Sequence, residues 1–146
     1  MAIAVKPIRH KDEAVWRAIW TGYLDFYHSE VSEDVYQSTF RRLLTDGEYE
    51  PTGLIAWDGN DALGLVHFMY HRHCWRLENV CYLQDLFTTP EARGKGVGRA
   101  LIEAVYAQAD NAGCPVVYWT TADDNDTARR LYDRIATKTP FIKYQR

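Results

Sequence analysis

The stretch from Asn79 to Thr121 constrains the fold more than any other part of the chain. It reads as apolar run, glycine-rich loop, helical repeat and β-branched run, in that order. Asn79–Thr88 has a nearly continuous apolar middle, as a strand buried on both faces does. Pro90 stops it. Beyond the loop Arg93-Gly94-Lys95-Gly96-Val97-Gly98, residues Leu101, Ile102, Val105, Ala109 and Ala112 line one helical face, with a stop at Gly113. Pro115–Thr121 is rich in β-branched and aromatic residues and reads as a second strand. Two strands joined through a helix run parallel, through a right-handed crossover. The fold class is therefore α/β.

The flanks extend this unit. Ala2–Ile8 predicts a first strand. Asp12 is the expected N-cap of a helix carrying Val15, Trp16, Ile19, Trp20, Tyr23, Phe26 and Tyr27 at helical spacing. Ser32 caps a second helix that ends at Asp46-Gly47. Gly53–Asp58 and Ala62–His71 read as a hairpin turning at Gly59-Asn60. Asn125 caps a last helix running to about Ala136, and Phe141–Tyr144 predicts a closing strand. With 146 residues and no linker or repeat, residues 1–146 are expected to form one domain.

The loop carries the chemistry. Glycines let backbone approach a ligand, and free N–H groups opening a helix favour an anion. Arg93, Lys95 and Arg99 add positive charge, and a pyrophosphate suits the combination. The Walker pattern fails, because Gly94-Lys95 is followed by Gly96 and residue 89 is Thr89. The dinucleotide pattern GxGxxG fails from Gly94, at Arg99, and from Gly96, at Leu101. The acyl-CoA pattern Arg/Gln-x-x-Gly-x-Gly/Ala is met by Arg93, Gly96 and Gly98.

Tyr82-Leu83-Gln84-Asp85-Leu86-Phe87, this loop, and Asn125-Asp126-Thr127-Ala128-Arg129-Arg130-Leu131-Tyr132 resemble the GNAT superfamily of N-acetyltransferases. The front half, with Trp16, Trp20, Tyr23 and Tyr27, is similar to its yeast histone/polyamine-type and D-amino-acid branch. The resemblance implies a mixed sheet flanked by helices and splayed open between the strands ending near Thr88 and Thr121. Acetyl-CoA would thread the gap. Backbone of Leu86, Phe87 and Thr88 would hold its pantetheine arm. Amides of Gly94, Lys95, Gly96, Val97, Gly98 and Arg99 would hold its pyrophosphate, with Arg93 beside them. Asn125 and Arg129 would meet the coenzyme, Tyr132 its sulfur, and Tyr23, Tyr27 and Gln84 the acceptor.

Acetyl transfer needs a neutral amine. For a lysine-like amine of pKa about 10.4, only about one molecule in 2,500 is neutral near pH 7, a penalty of about 4.6 kcal/mol. Asp85 is the expected base, acting directly or through a water; orienting a substrate group or satisfying a buried donor is the equal alternative. Relatives commonly carry Glu where this chain has Gln84. In a regular strand Gln84 and Asp85 point to opposite faces, so at most one would face the amine. Tyr132 is the expected acid for the departing thiolate, and a free backbone N–H near Phe87 the expected donor to the acyl oxygen.

Other features bound the reading. A net charge of −3 lacks the basic excess of a nucleic-acid binder. The three cysteines, Cys74, Cys81 and Cys114, form no CxxC pair and read as reduced cytoplasmic thiols. The N-terminal apolar run is too short for a signal peptide or membrane span. His67, Met69, His71 and His73 share one strand face, but His67 and His73 would lie about 20 Å apart, too far for one metal ion. They read as polar strand residues beside the substrate mouth, and no metal is expected. The expected activity is acetyl-CoA-dependent N-acetylation of a small-molecule primary amine, polyamine or amino-acid-like, by direct transfer in a ternary complex. A protein lysine or N-terminal substrate and a non-catalytic acyl-CoA-binding module are the alternatives. A homodimer through the C-terminal strand is implied by resemblance alone.

Overall fold

A computed structural model describes residues 1–146. Strand β1 is Ala4–Pro7. Helices α1 (Glu13–Phe26) and α2 (Glu33–Leu43) follow. The hairpin strands are β2 (Thr52–Asp58) and β3 (Asp61–His71), with β4 at Val80–Thr88. Helix α3 spans Val97–Asn111, β5 is Val117–Tyr118, and α4 is Asp126–Ile135. The five-stranded sheet runs in sequence order, antiparallel from β1 to β4 and parallel between β4 and β5. No helix is long and apolar enough to cross a membrane.

The helices form a layer on each face. On one face Trp16, Ile19, Trp20 and Leu24 of α1 and Phe40 and Leu43 of α2 pack on Ile55, Leu65 and Phe87. On the other, Leu101, Ile102, Val105 and Ala109 of α3 pack on Leu54, Val66, Phe68, Cys81 and Leu83, with Leu131, Tyr132 and Ile135 of α4 joining the rim. A fully buried aliphatic or aromatic side chain contributes about 1.5–3 kcal/mol.

The predicted caps divide. Ser32 Oγ accepts from Val35 N at 3.3 Å, and Asn125 Oδ1 from Ala128 N at 3.4 Å. Asp12 does not cap α1 with its side chain. Its carboxylate instead takes the Arg9 backbone N–H at 2.8 Å and the Arg9 guanidinium at 3.0 Å, closing a short 3₁₀ turn over His10–Asp12. A neighbouring cation outbids a backbone donor for a charged acceptor.

Two predicted strands change. Pro115–Thr121 shortens to Val117–Tyr118, which pair only with Cys81 and Tyr82. From Leu83 onward β4 has no partner on that side, so the sheet is splayed. Phe141–Tyr144 forms no strand, and Phe141 and Tyr144 are more than four-fifths exposed. Strand propensity needs a partner edge, and within one chain this segment finds none.

Strand β4 also carries a bulge. His67 pairs with Asp85 and Phe68 with Leu83, so Gln84 is the extra residue. Before it, Cys81 and Leu83 face α3; after it, Phe87 packs with the α1 layer and Asp85 bonds to Trp20. The bulge turns Asp85 toward α1.

Candidate active site

Site geometry begins with the glycine loop. Gly94 and Gly96 have φ of 77° and 85°, the left-handed region that side chains with a Cβ avoid. Gly96 is the N-cap of α3 and brings no side chain to close it. The first backbone bond into the helix runs from Ala100 N to Gly96 O at 3.0 Å. The amides of Gly94, Lys95, Gly96, Val97, Gly98 and Arg99 therefore have no acceptor within the protein. Opening a helix of 15 residues, they leave a row of unspent donors, a setting that favours an anion.

Not all the neighbouring cations are free. Arg93 turns back: Nε donates to the Thr88 carbonyl at 3.2 Å, and its guanidinium lies 5.3 Å from the Phe87 ring centre and 5.6 Å from that of Phe26. Arg99 pairs with Glu103 at 2.7 Å. Lys95 is exposed and makes no ion pair. Arg129 Nη1 donates to the Asp123 carbonyl at 2.6 Å and ties α4 to the loop before it.

The edge of β4 that faces the gap is defined by one bond. Thr89 N donates to Leu63 O at 2.9 Å, so Gly64 and Thr88 are a non-hydrogen-bonded pair and Phe87 bonds Leu65 across the strands. The N–H of Phe87 is thus occupied. Those of Leu86 and Thr88 point into the gap.

At the splay lies a cavity of about 260 Å³. Tyr23 and Tyr27 line it from α1, Tyr82, Gln84 and Asp85 from β4, Thr120 to Ala122 from the segment after β5, and Lys143 from the C-terminal tail. Gln84 and Asp85 share this cavity, against the expectation for a regular strand, because the bulge breaks the alternation there. Gly22 brings α1 close: a Cβ there would stand 2.9 Å from the Phe87 ring. Thr121 Oγ1 is buried without a partner. A larger hollow of about 500 Å³, between His10, Glu13, Gln37, Phe40, Arg41 and Leu44, contains none of the motif residues.

Asp85 is the charged centre. Burial pushes its carboxyl pKa up, but His67, Tyr23 and Trp20 more than reverse this and hold it below the usual carboxylate range. His67 Nδ1 lies 2.8 Å and Trp20 Nε1 3.3 Å from the same oxygen, Oδ2. Burial, followed by the Asp85 charge, raises the phenol pKa values of Tyr23 and Tyr27. Tyr132 packs edge-on to Trp119, with ring centres 5.3 Å apart. Burial, and then Tyr27, pushes its pKa up to about 12.

His67 is the main correction to the sequence reading. It is buried, not a polar residue at the mouth, and Trp16 Nε1 donates to its Nε2 at 2.9 Å. A histidine interrupting the apolar run Leu65–Met69 was the available signal. His71 lies elsewhere, bonded to the Tyr118 hydroxyl at 2.7 Å. Tyr82, Thr121 and Lys143 gave no local sign of their place in the cavity.

Comparison with known proteins agrees with this geometry. Residues 13–136 match the acetyltransferase (GNAT) family. The chain is 41% identical to the D-amino-acid N-acetyltransferase HPA3 of Saccharomyces cerevisiae, covering 99% of this chain and 90% of that one. It is 29% identical to the bovine thialysine N-epsilon-acetyltransferase, over 90% of this chain and 66% of the bovine protein. The solved structure of AAC(6')-Iy with a CoA-based bisubstrate analogue superposes at a TM-score of 0.86, at 17% identity, covering 100% of this chain and 98% of that one. With a family match over most of its length and a relative 41% identical across nearly the whole chain, the chain belongs to the GNAT family of acetyl-CoA-dependent N-acetyltransferases.

Proposed function

We propose that this enzyme acetylates the primary amine of a small molecule, amino-acid-like or polyamine, by direct attack in a ternary complex. The observation that carries the reading is the cavity at the splay, which the carboxylate of Asp85 and the cation of Lys143 both line. A zwitterionic amine matches both: ammonium on Asp85, carboxylate on Lys143. The relatives named for D-amino acids and thialysine act on amines of this kind.

The coenzyme brings the acetyl group as a thioester. Its diphosphate would take the amides of Gly94–Arg99, with Lys95 near, and its arm the outward groups of Leu86 and Thr88. The Leu86 N–H is the donor we assign to the acyl oxygen. Asp85 is a weak base, since its carboxyl is held acidic. It binds and orients the ammonium, and the proton leaves through water. Tyr132 acts by hydrogen bonding. Passing its proton from a pKa of about 12 to a thiolate of about 8.5 would be uphill by about 5 kcal/mol. Arg129 and Asn125 hold the α4 end of the cleft.

We place the enzyme in the cytoplasm, a reading that the free Cys74, Cys81 and Cys114 support. The exposed tail residues Phe141, Ile142 and Tyr144 are the surface we assign to a homodimer. The test is thiol release from acetyl-CoA with D- and L-amino acids, thialysine, spermidine and a peptide. Turnover confined to small amines is expected. Release with peptide alone would replace the acceptor class, and release with none would leave a binding module.

A further inference from the structure

Between α1 and the sheet, side chains from separate elements form one line: Trp16 of α1, His67 of β3 and Asp85 of β4. Their exposures are 0%, 3% and 9%. Trp16 Nε1 lies 2.9 Å from His67 Nε2, and His67 Nδ1 lies 2.8 Å from Asp85 Oδ2. An indole N–H only donates, so His67 Nε2 is the acceptor. An imidazole accepting there carries its proton on Nδ1 and donates it to the carboxylate. The chemistry of the two ends therefore assigns every proton in the line.

A second proton at Nε2 would meet the indole N–H, two donors head to head away from water. The surroundings give it no other outlet. From α1 come Trp16 and Trp20, from β4 Asp85, and from α2 Tyr36, edge-on to both indoles with its hydroxyl shared with Thr21 at 2.7 Å. Of these Asp85 alone is charged, and it already holds Nδ1. A histidine–carboxylate pair commonly sets a base against a nucleophile. Here the far nitrogen faces a group that does not ionise, so His67 has no lone pair to offer substrate.

We propose that His67 is a positioning residue for acetyl transfer: locked as its Nδ1–H form by Trp16, it clamps Asp85 by Oδ2 and leaves Oδ1 to the amine and the neighbouring Tyr23 hydroxyl. Trp20 completes the clamp on the same oxygen. The proposal rests on reading Asp85 as the amine-side carboxylate.

The test compares His67→Asn, which keeps a donor near Nδ1, with His67→Phe, which fills the space without one, and with Trp16→Phe, which releases Nε2. His67→Phe is expected to lower kcat/KM for the amine about tenfold or more, the loss of one hydrogen bond to a charged group, with KM for acetyl-CoA unchanged. His67→Asn is expected to recover most of it. A purely structural histidine gives the reverse order, with the apolar filler better, and that order overturns the proposal. In 15N-resolved spectra His67 is expected to show a bound proton on Nδ1 alone, and mixed forms in Trp16→Phe. A proton on Nε2 in the parent overturns the lock, whether or not an acceptor amine has been found. Should His67→Phe fail to fold, the Asn variant and the spectra decide.

Discussion

Arg93 is latched to Thr88: its Nε–H holds the strand's last carbonyl at 3.2 Å while Phe26 and Phe87 flank its guanidinium. The arginine of the acyl-CoA pattern thus ties the loop to the end of β4 and to α1. One hydrogen bond and two cation–π contacts contribute about 1.5–3.5 kcal/mol together. Arg93→Ala is expected to lower Tm by a few degrees and to weaken CoA binding in calorimetry. Arg93→Lys is expected to recover little, because an ammonium cannot reproduce the planar fork.

The two loop glycines nearest the helix start differ. Gly96 sits at φ 85°, so Gly96→Ala is strained by about 1–2 kcal/mol and distorts the amide cradle. At Gly98 an added Cβ would stand 3.4 Å from Leu131, an ordinary contact. Gly96→Ala is expected to lower both Tm and CoA affinity, and Gly98→Ala to leave Tm nearly unchanged. Thermal melts with and without CoA separate the two.

Neither Asp85, held acidic, nor Tyr132, at about 12, changes charge between about pH 6 and 9. Activity is therefore expected to rise with pH along the titration of the substrate amine and to shift with amine pKa across a series. For stability the sign is fixed. A carboxyl with a depressed folded pKa contributes above its unfolded pKa of about 3.9 and loses that contribution as pH falls through its folded value. Asp85→Asn is expected to flatten acid denaturation in that range, followed by circular dichroism.

Tyr132 donates to sulfur without releasing its proton in this reading. Tyr132→Phe is expected to lower kcat about tenfold to a hundredfold, with CoA affinity nearly intact. Unchanged turnover would remove Tyr132 from the mechanism.

Lys143 offers a sharper substrate test. Lys143→Met is expected to raise KM for an amino acid about twofold to fivefold while sparing the same amine without its carboxylate. Equal effects on both would detach Lys143 from carboxylate recognition.

Local signals in the sequence carried the Asn79–Thr121 unit, the Gly59-Asn60 hairpin, the caps Ser32 and Asn125, and the glycine turn that opens α3. Each rests on residues within a few positions of one another. What escaped depends on distance or on competition. His67 meets Trp16 across 51 positions and Asp85 across 18. Asp12 lost its cap to Arg9, a contest that pattern alone does not settle. The shortness of β5 reflects where the sheet opens, and the unpaired Phe141–Tyr144 reflects an edge that propensity cannot supply.

The bulge at Gln84 makes the length of β4 a chemical variable. Upstream of that residue the odd positions Cys81 and Leu83 face α3; downstream the odd positions Asp85 and Phe87 face α1. Deleting Gln84 would remove the bulge and set Asp85 directly after Leu83, still opposite His67 on the α1 face, so the carboxylate would keep its side while the cavity lost the Gln84 amide. The extra residue thus adds a polar side chain to the acceptor side without displacing the charge, and a relative one residue shorter here would keep the carboxylate and lack that amide.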